Sequence, residues 1–533
     1  MPPPFQRAVA KPQPSASDCL APYFGLDCPR HRFTTVSSAK KDGGSQTMST
    51  QRRVAGGARI TGSALGTRLV LGFAVITFTL PAHANYAQTW GVSTSCLANA
   101  GACVASVDDI GSFYHNPAGA ASMEGTVIGG SIYLLDVRNA ESTDSLGTHN
   151  PDATSVDGEI AALPTLGLYQ QIAPNAVIGL GIASPFGIVA DWEDAGIFRY
   201  NSLDQSIVSI DVSPTLAWKP TENLRVGLAA NFNVARQLGL NIGFPNVFLG
   251  PGNASSPLAG KISLETDKDW SFEGLPPGSL EFGLHAVSLT AGLQYDVNDR
   301  LTVGIAGRTK ESQTWEGDFT LDLTPLGAGQ QKTRFSMDID APAFVQLGMK
   351  YALLPNVLDV SFDWQRTFWS DTAGFGKPLV VKLRDTVFVG PVPADQLVVN
   401  YSAQDQNTWR FGATWHAMTN LDLRFGYAFD EAIFPDRNGD QITFDNDRHI
   451  FALGFSYDNR VGKTGSGWQF DGAFQVTHYE DKKLEAGESI NLGGLGSPAF
   501  AAGAPTLGFT PNSEDATFGG EAYSLTLGAT YHY

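Results

Sequence analysis

From Thr126 to the end of the chain, apolar and polar residues alternate in runs of about ten or more. This is the period-2 pattern of strands whose two faces meet different surroundings. The last run shows it most plainly. Tyr523, Leu525, Leu527, Ala529, Tyr531 and Tyr533 share one parity, and Ser524, Thr526, Gly528, Thr530 and His532 share the other. About 14 runs can be counted, and their connections alternate in length. Ala173-Pro174-Asn175, Asn298-Asp299-Arg300, Pro355-Asn356 and Met418-Thr419-Asn420 are short and rich in turn formers,. Those near 138–158, 192–203, 243–280, 322–331, 372–403, 430–446 and 482–518 are long. Short turns on one side and long loops on the other are the arrangement of a transmembrane barrel. The pattern predicts an all-β protein, a 14-stranded antiparallel transmembrane β-barrel over 124–533.

Aromatics fall where interfacial girdles belong, at Trp218, Tyr295, Tyr351, Trp364, Trp369, Trp409, Trp415, Tyr427, Tyr457 and Trp468,. No apolar run reaches the roughly 20 residues that a spanning helix needs. A membrane location therefore requires a closed barrel, because only closure pairs every backbone group.

Ahead of the strands, residues 85–122 are rich in small side chains, carry no basic residue and hold no sustained periodicity. This stretch reads as a plug, with domain limits 85–123, lying in the lumen on the periplasmic side. At its centre Asn116-Pro117-Ala118 makes a rigid turn, since proline fixes one dihedral and asparagine can bond its own backbone. Cys96 and Cys103 lie close together in an exported chain, where a disulfide persists, so a bridge between them is expected. No histidine at ligand spacing joins them, and no metal is expected.

The amino end is a different composition. Residues 1–47 are rich in Pro and Ser, and Met48 opens a signal peptide over 48–84,. Its basic region holds Arg52, Arg53, Arg59 and Arg68, its apolar run is LVLGFAVITFTL, and Ala82-His83-Ala84 supplies the cleavage site. Two readings of 1–47 stand: a non-native leader, with Met48 the initiator, or a disordered extension. From Asn85 onward the chain keeps 25 basic against 50 acidic side chains. That balance excludes nucleic acid as a partner, since phosphate contacts need clustered Lys and Arg.

The third run breaks at Ser184-Pro185-Phe186-Gly187 and resumes apolar character at Ile188. Proline cannot donate to a ladder and glycine weakens one, so a kink is expected there. The Asn-Pro-Ala turn just ahead of the first strand, ASPFGIVADW with the following Arg199-Tyr200-Asn201-Ser202, DVSPTLA from Asp211 and the Asp445-Asn446-Asp447-Arg448 strand start resemble the FadL-type outer-membrane transporters. The resemblance covers most of 85–533 and rests on the order and spacing of these segments. It implies passive uptake of long-chain fatty acids or aromatic hydrocarbons, with lateral exit through the kinked third strand, by a monomer in the outer membrane of a Gram-negative bacterium. The partners would be a hydrophobic ligand and outer-membrane lipid. On this reading Asn116, Pro117 and the 184–187 kink together gate the exit.

The long 243–280 loop is unusually apolar, and Phe244, Val247, Phe248 and Leu249 are read as a capture groove. Parity points Arg308, Lys310, Arg410, Arg424 and Arg448 into the lumen, and Arg308 or Lys310 is the candidate donor to a carboxylate cargo. Strict alternation turns Arg236 outward unless its strand is bulged. Asp436-Arg437-Asn438-Gly439-Asp440 has its glycine two positions early for a calcium loop. No Ser–His–acid set occurs at recognisable spacing, so neither catalytic residues nor a cofactor are expected. The rival readings are a general aqueous porin and a surface adhesin or phage receptor.

Overall fold

The computed structural model describes residues 91–138, 160–191, 203–244, 260–267, 280–389, 392–435, 445–460, 465–484 and 516–533. The stretches expected to be a leader (1–47) and a signal peptide (48–84), Asn85 to Trp90, the groove candidates Val247, Phe248 and Leu249, and the acidic segment 436–440 lie outside the described residues.

After the plug come β1 (Thr126–Arg138), β2 (Ile160–Ala173), β3 (Ala176–Asp191), β4 (Asp204–Thr221), β5 (Leu224–Phe244), β6 (Gly260–Thr266) and β7 (Glu281–Asn298). These are followed by β8 (Leu301–Arg308), β9 (Glu311–Asp322), β10 (Gln330–Ala341), β11 (Phe344–Leu354), β12 (Leu358–Thr367), β13 (Leu379–Val389) and β14 (Val392–Val399). The chain ends with β15 (Gln406–Met418), β16 (Leu421–Asp430), β17 (Arg448–Asp458), β18 (Gly467–Leu484) and β19 (Ala516–His532).

Fourteen of these strands close a ring, in the order β1-β2-β3-β4-β5-β7-β8-β11-β12-β15-β16-β17-β18-β19. β19 returns to β1 from Val127↔His532 to Arg138↔Glu521, and the Tyr533 N–H donates to the Thr126 carbonyl at 2.8 Å. The final alternating run thus seals the barrel. Its even parity is buried at Ser524, Thr526 and Thr530, and Leu525 and Leu527 face outward. The same outward face carries Ile128, Leu168, Leu216, Leu289, Ile305, Leu347, Phe411 and Phe451 round the ring. In water such a surface would be unstable; against hydrocarbon it costs nothing.

The other five strands build a second sheet on the extracellular side. β8 stops at Arg308 and β9 starts at Glu311; β10 stops at Ala341, and Pro342, which lacks an N–H, precedes β11,. Below these breaks β8 pairs with β7 and β11; above them β9 pairs with β6 and β10, and β10 with β13. The upper sheet runs β5-β6-β9-β10-β13-β14. Trp315, Phe319, Phe335, Met337 and Val381 face its interior, and Thr314, Glu316, Asp318 and Lys382 face out. Charges on the outer face place this sheet above the hydrocarbon zone. The long connections at 243–280 and 372–403 therefore contain β6, β13 and β14. Trp369, expected in a girdle, is instead fully buried in the upper interior.

Candidate functional site

The plug comprises α1 (Thr94–Ala98), α2 (Ser112–His115) and a 3₁₀ turn over Pro117–Ser122. Cys96 and Cys103 are joined by a disulfide, with Cα atoms 5.5 Å apart. At many points the plug lies directly on strand backbone, because the wall presents glycine there. A Cβ at Gly227 would lie 2.2 Å from the Pro117 carbonyl carbon, one at Gly426 2.2 Å from that of Asn99, and one at Gly304 2.6 Å from the Val104 oxygen. Gly167, Gly181 and Gly292 make room for the side chains of Ile110, Phe113 and Asn116, and Gly129 and Gly348 also lie close to Ile110 and Val104 of the plug. This belt is invisible to a reading that assigns glycine to turns; its signal is glycine recurring at the lumen parity of strand after strand.

Buried polar groups tie the plug to the wall. Asp363 of β12 accepts the N–H groups of Cys103 and Val104 at 2.6 and 2.8 Å. Gln294 donates to the Val104 and Val107 carbonyls, and Gln475 to that of Leu97. Asn116 donates to the Val104 carbonyl at 2.8 Å and to Leu293 of β7 at 3.2 Å, while its own oxygen accepts the Ala118 N–H. The Asn-Pro-Ala turn therefore sits against β5 and β7. Val92, Phe113 and Tyr114 of the plug share an apolar cluster with Ala183 of β3, next to the kink.

The kink lies inside a strand that continues to Asp191. The β3–β4 register shifts by one residue between Ala183 and Phe186, so β3 bulges at Ser184-Pro185. The Phe186 carbonyl accepts the Ser209 hydroxyl at 3.1 Å, and a Cβ at Gly187 would sit 2.9 Å from the Ile207 oxygen. On the other side the ladder stops. Among the described residues the last β2–β3 rung is Leu166↔Ile182, although β2 continues to Ile160 and stays paired with β1. Pro164 and Pro185 flank the interruption, and neither has an N–H to offer across it. Just below, the Thr165 hydroxyl donates to the Gly91 carbonyl of the plug at 3.5 Å.

Above the plug the lumen carries paired charges. Arg308 donates to Asp211 at 2.7 Å and to Glu311 at 2.6 Å, and Glu311 also receives Ser288 and Gln313. Lys310 lies 3.2 Å from Asp340 and 3.6 Å from Asp371. Arg448 meets Asp430 at 2.6 Å, and Arg410 donates to Gln365 at 2.8 Å. Against β4 the β5 strand carries an extra residue between Asn233 and Ala235, and beyond it Arg236 is buried, donating to Glu281 at 2.8 Å with its guanidinium 4.8 Å from the Trp315 ring centroid. An anionic cargo at Arg308 would have to displace a buried carboxylate, and breaking a buried pair costs about 3–5 kcal/mol.

Over the charges lies an apolar cluster that includes Phe186 of the kink with Leu238, Trp315, Phe319, Phe335, Trp369, Phe375, Tyr401 and Phe434. A separate cavity of about 880 Å³ at the periplasmic mouth is lined mainly by polar groups, among them Asp296, Arg300, Lys350, Asp359 and His416. It offers little surface to an apolar molecule.

A closed barrel with lipid-facing strands, stoppered from within, defines a plugged outer-membrane channel. Residues 73–495 match the family described as outer membrane protein transport protein (OMPP1/FadL/TodX). The chain belongs to that family of transport proteins and is a multi-pass protein of the Gram-negative outer membrane. It is 24% identical over 487 residues to an outer membrane protein of Neisseria meningitidis serogroup B, covering 83% of this chain and 97% of that one. Outer membrane protein P1 of Haemophilus influenzae is 24% identical over 56% of this chain and 62% of its own. A Pseudomonas aeruginosa FadL homologue shares the fold at a TM-score of 0.64 and 16% identity, with 84% of this chain and 99% of that chain covered. The toluene transporter TodX of Pseudomonas putida does so at 0.56 and 12%, with 83% and 99% covered.

Proposed function

We propose that the protein takes up apolar compounds from the cell exterior by passive diffusion and releases them sideways into the bilayer between β2 and β3. The observation that carries this reading is the end of the β2–β3 ladder at Leu166↔Ile182, beside a bulge whose Phe186 belongs to the apolar cluster. Moving a dozen methylenes through water costs on the order of 10 kcal/mol at ~0.8 kcal/mol each. A path that runs from an apolar interior straight into lipid avoids that barrier. The paired state of Arg308 and Lys310 favours uncharged cargo, in line with the toluene transporter that shares its fold. The ring closes on itself through β1 and β19, which suits a monomer.

Deleting Pro185 removes the extra residue of β3 and brings its two halves into one register. Cells lacking the native protein and expressing this variant should lose uptake of labelled toluene and oleate, with the barrel still assembled as judged by heat-dependent gel mobility. Undiminished uptake would refute lateral exit. Large steady ion conductance of the purified wild type in planar bilayers would favour the porin reading.

A further inference from the structure

Phe186 and Phe375 come from opposite sides of the ring. β3 and β12 stand six strands apart among fourteen, so residues beside them can meet only through the lumen. They do meet, because the connection from β12 to β13 folds inward. The Thr372 hydroxyl donates to the Trp369 carbonyl at 2.6 Å, closing a 3₁₀ turn. The Ala373 N–H donates to the Asp340 carboxylate at 2.9 Å, and the Ala373 carbonyl accepts the Asp340 N–H at 3.1 Å. Gly374, at φ +85°, lies so close to β10 that a Cβ would be 3.3 Å from the Asp338 oxygen. A side chain there would be strained by the backbone angle alone. Lys310 bridges Asp340 and Asp371 and holds the turn to the head of β8.

This anchoring sets Phe375 edge-on to Trp369, with ring centroids 5.3 Å apart, and edge-on to Phe186 at 6.4 Å. Phe186 is inward-facing, buried, and lies past the last β2–β3 rung. The aromatic pair is therefore the part of the apolar cluster that reaches β3 just past the last β2–β3 rung. Edge-to-face ring contacts are individually weak, so the pair can part for a thin molecule while the strands stay in place.

We propose that Phe375 is the size-selecting residue of the transport path. Cargo reaches the β2–β3 opening only by passing between Phe375 and Phe186. Flat single rings and unbranched chains pass, and bulky fused-ring molecules are held back. Asp340 acts as a positioning residue, through Ala373. The proposal rests on the lateral-exit reading.

The test compares uptake of a labelled one-ring arene, toluene, with that of a labelled four-ring arene, pyrene, in cells expressing the full chain. Phe375→Ala should raise the pyrene-to-toluene ratio about tenfold, the low end of steric discrimination in an apolar site. Phe375→Trp, which enlarges the side chain, should lower it. Gel mobility confirms assembly of each variant. An unchanged ratio in both variants, with uptake blocked by deletion of Pro185, overturns the role of Phe375 and leaves lateral exit standing. Full uptake of both probes after deletion of Pro185 overturns lateral exit and this proposal with it.

Discussion

Asp363 on β12 receives the N–H of Val104 at 2.8 Å, a single oxygen of the wall holding the backbone of the plug. The same oxygen takes the Cys103 N–H, so both donors depend on one side chain that is wholly buried. Removing it leaves two N–H groups without partners, at about 1–3 kcal/mol each. Asp363→Ala should loosen the plug without unfolding the barrel, raising ion conductance in planar bilayers. Asp363→Asn keeps an acceptor and should leak less.

Arg308 offers a direct comparison between cargo binding and structure. Its side chain is 7% exposed and its two carboxylate partners 2%. Arg308→Met strands both acids, and the expected destabilisation is about 3–5 kcal/mol, seen as a lower unfolding temperature in detergent. Pairing it with Glu311→Gln should restore part of the loss. Because Arg308 is occupied, oleate and toluene uptake should fall together; selective loss of oleate would make it a carboxylate site after all.

The glycine belt predicts a position-dependent intolerance. Gly426→Val would drive a side chain into the Asn99–Ala100 backbone, where even a Cβ stands 2.2 Å from a plug carbon. The plug should fail to seat, giving a conducting barrel. Gly130→Ala, on the lipid-facing parity of β1, meets first the end of the Leu166 side chain and should leave conductance unchanged.

The connection between β16 and β17 should respond to pH. Asp445 is buried and accepts the Ile433 N–H. Burial pushes its carboxyl up to about 6 from an ordinary 3.8, with Arg448 opposing. An acid whose folded value is raised binds its proton more tightly when folded. The stability it confers is greatest below about pH 4 and is lost as pH rises through 6, a change of at most ~3 kcal/mol. Asp445→Asn should flatten the fall in unfolding temperature between these values.

The lipid-facing strands are legible because hydrocarbon outside and polar lumen inside impose strict alternation, and the chain end from Tyr523 to Tyr533 obeys it fully. The plug is legible by contrast, as a stretch without periodicity. What stays hidden follows from changes of surroundings along a single strand. β9 carries Trp315 and Phe319 inward against Glu316 and Asp318 outward, the same period with the polar face reversed, so alternation alone reads it as more barrel wall. Opposed charges and Pro342 are the signals that mark the fork. Arg236 changes face through a bulge that no local residue announces, and Phe375 sits in a connection whose inward fold depends on the distant Asp340. Asn116 and Pro117 are correctly singled out as a rigid turn, yet their contacts with Leu293 and Gly227 on other strands follow only from the three-dimensional seat of the plug.

The fork at Thr309 and Pro342 means that oily surroundings begin outside the bilayer. β9, twelve residues long, reaches about 40 Å along its own axis at ~3.4 Å a residue. On the proposed route, a water-shy molecule entering at the top would shed its hydration shell there, among rings shielded by charged strands. By the time it drew level with the hydrocarbon tails, the change of solvent would be complete, and lateral exit would be a move between two equally dry places.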